Sequence, residues 1–414
     1  METQGIRPVR YVSETLARDA IRSGPYDLAC LMEHMPETHA DMMDDRDMRA
    51  FTFFADRRRR LLEFVLTSVE RNLIASEHQM LLFLEQANSE RIKTLTTRLL
   101  KIYEPNVFIC TISLAINLTI KNGLWRRPLR KWSTVFLEEA SMIREATLIG
   151  LFSRFPDAIY TLVGDSNQLP PYIGTQRAPL AAYLCSRSAL EVTRRVGNPP
   201  TCKISSVYRP HPNMMALNSR IFYNNELVCG TPNEARLALL NKVWMPNSDL
   251  PIAFINIVDQ SVQSVTGSQS NAVEARAVAV IVRLLLASSI SADIIMVICL
   301  YRDQLYLVES AFKGFNVAMN TVDSAQGSEK SVIIVCTTRT HLNAKRSLTF
   351  FADPKRLNVA LSRARDGSWL DHDDGGRKDS PDQRLLPPAP LTDRFGDAPC
   401  PRRPSSIGRS DPRC

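Results

Sequence analysis

Apolar positions along the chain fall into two regimes. Short continuous runs, at Thr134–Leu137, Ile159–Val163, Ile252–Ile257, Ile294–Cys299 and Val332–Cys336, alternate with stretches whose apolar residues recur at helical spacing. The runs predict strands buried on both faces, and the intervening periodicity predicts helices over Met142–Phe155, Leu180–Arg195, Ala272–Ala287 and Gln304–Phe312. Such alternation argues βαβ units and parallel sheets, an α/β fold. Earlier in the chain, Val9–Val12 and Asn106–Ser113 are expected as strands, with a helix beginning after Ser13. Between them, Tyr26–Leu100 has no alternating runs, and Leu61, Leu62, Val65, Leu66, Val69 and Leu73 share one helical face, which predicts a helical hairpin packed on a neighbour.

Punctuation divides the chain. Val196–Pro200 (VGNPP) is the expected linker, leaving a first domain over 1–195, with a helical insertion at about 14–100, and a second over 201–365. From Asp366 onward Pro, Asp, Arg and Gly dominate with hardly any apolar periodicity, so residues 366–414 are expected to be disordered.

At 414 residues and 44% hydrophobic composition, the chain can hold two sizeable cores. A formal charge of +8 permits a polyanionic partner without requiring one. The nine cysteines include no CxxC pair, which argues against a zinc site or a disulfide framework and suggests reduced, mostly buried thiols. No apolar run is long enough to span a bilayer and the N-terminus lacks a signal-peptide pattern, so no membrane partner is expected and a cytoplasmic or nuclear location is. The basic run Arg57–Arg60 suits phosphates, but a solvated or salt-bridged helix face explains it more simply.

The candidate chemistry begins where the Thr134–Leu137 strand ends. Glu138 and Glu139 stand at that C-terminal strand end, the edge at which α/β sheets bind ligands. A Glu pair after an apolar strand is by itself most often a solvated strand end. Here, however, GDSNQLPP follows one helix and one strand later, placing Asp165 and Gln168 beside the acidic pair. Paired carboxylates in this position suit a magnesium ion and an activated water. The hydroxyls of Thr111 and Ser113 close the Asn106–Ser113 run, either as turn formers or as donors to backbone phosphates, and Arg126, Arg127, Arg130 and Lys131 follow them.

LEEAS followed by GDSNQLPP resembles motifs II and III of superfamily 1 helicases, in the branch containing the nonsense-mediated-decay helicase and senataxin. SVYRPHP (Ser206–Pro212), TVDSAQGSEK (Thr321–Lys330) and RLNVALSRAR (Arg356–Arg365) resemble later motifs of that family, in its order. The resemblance implies two RecA-like domains, the first incomplete here, that hydrolyse ATP with Mg2+ and act on single-stranded RNA or DNA. It gives Glu138 to the metal, Glu139 to the base that activates water, and Gln168 to the γ-phosphate. Arg209 and Arg363 become charge-stabilising fingers, Gly327 and Glu329 lie near the nucleotide, and Thr321, like Thr111 and Ser113, lies near the nucleic acid. Ser270, Asn271 and Glu274 match a family pattern that a plain helix cap explains equally well.

Three departures from the family pattern stand out. Glu138 occupies a position where Asp is usual, Ala325 one where an aromatic residue is common, and Ser166 and Asn167 replace residues that are often basic or bulky. A Walker A loop is also lacking, since no glycine occurs between Pro25 and Asn122; a phosphate nest needs closely spaced glycines and a lysine. Two expectations follow. One is a helicase region, truncated and weak or inactive as written; the other is a non-catalytic nucleic-acid-binding or scaffold protein that keeps the fold.

Overall fold

The computed structural model describes residues 5–12, 24–68, 92–120, 132–172, 187–197, 199–312, 315–340 and 353–372, with single positions at 79 and 180. The chain divides into two compact units, Met1–Cys202 and Lys203–Cys414. Both are mixed α/β with parallel strand pairing.

In the first unit β1 (Pro8–Arg10), α1 (Leu28–Thr38) and α2 (Asp45–Ser68) precede a helix over residues 92–103, and then come β2 (Val107–Ile109) and α3 (Ile112–Thr119). β1 pairs in parallel with β2. Met32, Met35, Phe51, Phe54, Leu95, Leu99 and Tyr103 bury a common core between these helices and strands. Asp45 and Asp47 in the first turn of α2 complement its dipole. The basic run is occupied within the unit: Arg58 meets Glu33 at 2.9 Å, Arg59 meets Glu37 at 3.2 Å, Arg60 meets Asp56 at 3.4 Å, and Arg57 lies over the Phe53 ring.

β3 (Thr134–Leu137), α4 (Glu145–Arg154), β4 (Ile159–Leu162) and α5 (Ala189–Val196) complete the described part of this unit. β3 and β4 are parallel neighbours, and Leu137, Ile143, Leu148 and Leu151 pack beneath them.

The second unit holds β5 (Ser206–Val207), α6 (Pro212–Phe222), β6 (Val228–Cys229), β7 (Ile252–Asn256), β8 (Val262–Gln263), β9 (Gln269–Ser270), α7 (Ala272–Ala287), β10 (Ile295–Cys299), α8 (Arg302–Ala311), β11 (Ala318–Thr321), β12 (Lys330–Cys336), α9 (Pro354–Ser362) and β13 (Ala364–His372). Its main sheet is five-stranded and parallel in the order β11-β10-β12-β13-β7. All five residues of β10 are buried, as a central strand covered on both faces requires. Val278, Val282 and Leu285 of α7 pack with Val297, Ile334 and Trp369 in the core.

The structure corrects several expectations. Residues 366–372, expected within a disordered tail, form most of β13, which lies between β12 and β7. Composition averaged over a long polar segment hides Trp369 and Leu370, both buried, and a slot with strands on two sides supplies the ladder partners that propensity alone does not. The rest of the tail, 373–414, lies outside the described residues, as do the helix after Ser13, Val69 and Leu73 of the expected hairpin, and Arg126, Arg127, Arg130 and Lys131. The strand expected over Asn106–Ser113 ends at Ile109, because Thr111 caps a helix instead of extending the ladder. β11 went unforeseen because an edge strand reading AMNT is only half buried and carries no apolar run. Of the six cysteines among the described residues all are free thiols, but only Cys299 and Cys336 are buried.

Candidate active site

The acidic pair sits in the turn that leaves β3. Glu138 and Glu139 are both exposed, and Glu139 has a φ of 52°, a left-handed conformation that costs a residue with a Cβ some strain. The turn is tied to the strand beside it. Ala140 N donates to Val163 O at 2.9 Å, and Val163 N donates to Leu137 O at 2.8 Å. Gly164 makes this approach possible: a Cβ there would lie 2.8 Å from Ala140 N and 3.0 Å from Ser141 N.

The same junction orients the second loop. Asp165 Oδ1 accepts from Asn167 N at 2.8 Å, Gln168 N donates to Asp165 O at 3.2 Å, and Gln168 Nε2 reaches Asp165 Oδ2 at 3.3 Å. Glu138, Glu139 and Gln168 are thus presented by two loops joined through backbone hydrogen bonds at one strand edge. The Ser141 hydroxyl is buried with no hydrogen-bond partner among the described residues.

Thr111 and Ser113 occupy a helix start. The Thr111 hydroxyl accepts from Leu114 N at 3.3 Å, the ordinary work of an N-cap, and Ser113 is exposed in the first turn of α3.

In the second unit three separate sequence motifs converge. Arg209 Nη1 lies 3.3 Å from Glu329 Oε2. Arg363, buried at the end of α9, donates from Nε to Val359 O at 3.0 Å and from Nη1 to Ser328 O at 3.4 Å, while its own carbonyl accepts from Lys330 N at 3.2 Å. Gly327 turns this segment with a φ of 79°, and no atom of the described residues lies within 4 Å of where a Cβ would stand. Thr321 ends β11 with its hydroxyl 3.0 Å from that of Ser324. Ala325 is fully buried, a small core residue within this segment.

The Arg-Pro-His turn is anchored to the start of β13, where His211 N donates to Arg365 O at 2.8 Å. His211 Nδ1 accepts from Asn213 N at 3.2 Å and caps α6. Burial lowers its pKa from the ordinary imidazole value, against the opposing pull of Asp366 and Asp249. A neutral imidazole acting as a capping acceptor agrees with that direction, and makes His211 structural.

One group was not singled out from the sequence, and a second was read there as equally well a plain helix cap. Tyr208, beside Arg209, keeps an exposed ring whose inner face lies on Gly230, where a Cβ would meet the ring at 2.2 Å. A flat exposed aromatic of this kind can stack on a base. Glu274 is the second: beyond any capping role, its buried carboxylate accepts from Thr338 N at 2.8 Å and Thr338 Oγ1 at 2.7 Å. The signal for Tyr208 lay within SVYRPHP; none pointed from Glu274 to Thr338.

Among the described residues no helix is long and apolar enough to cross a membrane, and no group of three or more His, Cys, Asp or Glu is placed to hold a metal ion.

Comparison with known proteins gives this geometry a context. The family model of an AAA domain matches residues 185–370, a span that runs through most of β13. The uncharacterized ATP-dependent helicase C05C10.2 of Caenorhabditis elegans is 33% identical over 293 residues, covering 69% of this chain and 18% of that protein. Regulator of nonsense transcripts 1 homolog of Drosophila melanogaster is 33% identical over 218 residues, covering 50% of this chain and 18% of that protein. The mouse DNA replication ATP-dependent helicase/nuclease DNA2 is 28% identical over 293 residues, covering 64% of this chain and 26% of that protein. The chain therefore spans well under a third of the length of each of these relatives.

Proposed function

Because this chain belongs to the branch of superfamily 1 helicases that contains the nonsense-mediated-decay helicase and senataxin, we propose that it acts in ATP-dependent movement along single-stranded RNA or DNA. The observation that carries the proposal is the convergence of Arg209, Ser328, Glu329 and Arg363 from three motifs distant in sequence. Structural ion pairing alone gives no reason for this charge to collect where the segment turned by Gly327 stands open.

In this reading Glu139 takes the proton from a water whose oxygen attacks the γ-phosphorus, and the bond to the β–γ bridging oxygen breaks to release ADP. Gln168 holds that water through its side-chain amide. Glu138 is the carboxylate for magnesium; an exposed strand-end carboxylate, with no protein cage among the described residues, suits an ion that keeps waters and substrate phosphates as its other ligands. When bound, magnesium neutralises phosphate charge. Within the second unit Arg209 and Arg363 are the candidate charge-stabilising arginines, a role that reaches about 10³ to 10⁵ in rate for arginine fingers. Tyr208 offers its exposed face to the base of the nucleotide.

The test is ATP hydrolysis with and without single-stranded RNA or DNA, in this chain and in Glu139→Gln. The proposal expects weak, nucleic-acid-stimulated turnover that is abolished on losing the base. Turnover that survives the substitution removes Glu139 from its role. Binding to nucleic acid without any turnover would favour a scaffold over a motor.

A further inference from the structure

The C-terminal rim of the second unit's sheet carries a polar construction that the hydrolysis chemistry leaves unused. Register places Cys299, Thr321 and Cys336 level with one another at the ends of β10, β11 and β12, so the segments that follow emerge side by side from one edge. Open α/β sheets take their ligands at such an edge. After β12 the chain enters Thr337–Thr340, and here Thr338 is held at a φ of 65°. A β-branched residue in the left-handed region is a strained outlier and persists only where its surroundings over-determine it.

Those surroundings are explicit. Glu274, itself only 3% exposed, spends both carboxylate oxygens on Thr338, one on its amide and one on its hydroxyl. Asn271 caps the same helix end and exchanges two hydrogen bonds with the fully buried Gln304 side chain, at 2.7 Å and 3.1 Å, so α7 and α8 are locked together there. On the far side of the loop Thr340 Oγ1 accepts from Ser261 N at 2.9 Å. Arg339 is thereby flanked by two anchored residues, half-buried against Tyr301. A buried carboxylate and a strained backbone are a costly way to hold a surface loop that does nothing.

We propose that Arg339 contacts backbone phosphate of a single-stranded nucleic acid, and that Glu274 is the positioning residue that holds it at the rim. The inference rests on the nucleic-acid reading above and extends the surface begun by Thr321, two strands away across the same edge. A guanidinium has five donors in a planar fork that matches phosphate oxygens, and exchanging protein neighbours such as the Tyr301 hydroxyl for phosphate keeps those donors satisfied. Glu274, close to the loop's backbone, acts through Thr338 without touching nucleic acid.

The experiment measures affinity for a labelled single-stranded oligonucleotide without nucleotide, between about 50 and 200 mM salt. It uses the chain, Arg339→Ala, Arg339→Lys, Glu274→Gln, the Glu274→Gln/Arg339→Ala double variant, and Arg283→Ala on the exposed side of α7 as the control. One lost phosphate contact on a single strand lowers the slope of log affinity against log salt by about 0.7. Arg339→Ala should show that loss, Arg339→Lys should retain the slope, and the Arg283→Ala control should match the parent. Glu274→Gln should lose part of the same slope, and the double variant should be no worse than Arg339→Ala alone, because the carboxylate works through the arginine. If the parent chain binds but Arg339→Ala keeps its full slope, the inference fails while the nucleic-acid reading stands. An Arg339→Ala variant that weakens ATP binding and leaves the slope intact assigns the arginine to the nucleotide and likewise overturns it. A parent chain with no affinity removes the reading and the inference together.

Discussion

Gly164 shows how much a single position decides. The two loops that carry Glu138, Glu139 and Gln168 meet at backbone distance, and a methyl group there would press on the amides of Ala140 and Ser141. Gly164→Ala should destabilise the first unit by about 1 to 3 kcal/mol, the usual cost of overpacking, and should lower ATP turnover by misplacing both loops. Urea unfolding of the two chains checks this, and an unchanged midpoint would show that the loops can part freely. The sequence identified Gly164 as the end of a strand and the acidic pair as its neighbour. It did not reveal the contact, because a close approach between segments far apart in the chain leaves no local pattern. Glu139 is similar: its residue type was legible, its left-handed backbone was not. At Thr111 the hydroxyl was legible, but not the helix that begins there.

Among the elements, β13 is where composition and structure part. DGSWLDH looks like the opening of a disordered tail, yet it runs in parallel register with β12 on one side and β7 on the other. Trp369 is 7% exposed and belongs to the core formed by α7, β10 and β12. Trp369→Ala should therefore cost the second unit about 3 to 5 kcal/mol. Chemical denaturation followed by circular dichroism measures it; a disordered segment would give no change. The long central strands were legible because burial on both faces demands an uninterrupted apolar run. The edge strand β11 and the inserted β13 were not, since neighbours, rather than their own residues, supply the reason for them to be extended.

For the molecule as a whole, the two units differ in how completely their sheets are covered. In the second, β10 is buried along its length, whereas in the first, Phe136 and Ile159 on the outer face of β3 and β4 are 70% and 71% exposed. Amide hydrogen exchange should therefore find its slowest protons at Val297, Ile298 and Ile334, with β3 and β4 exchanging through smaller openings. Equal protection in both units would contradict that ordering. The chain alone determined the α/β class, the order of motifs and the chemical types at the site, because each is written in local periodicity or in residues close in sequence. Only the tertiary structure decided that Arg209, Ser328 and Arg363 share one edge, that a polar segment completes the sheet, and that Glu274 holds a strained loop. Those depend on which backbone groups find partners across long stretches of chain, and hydrogen-bond geometry settles that only once the sheet has formed.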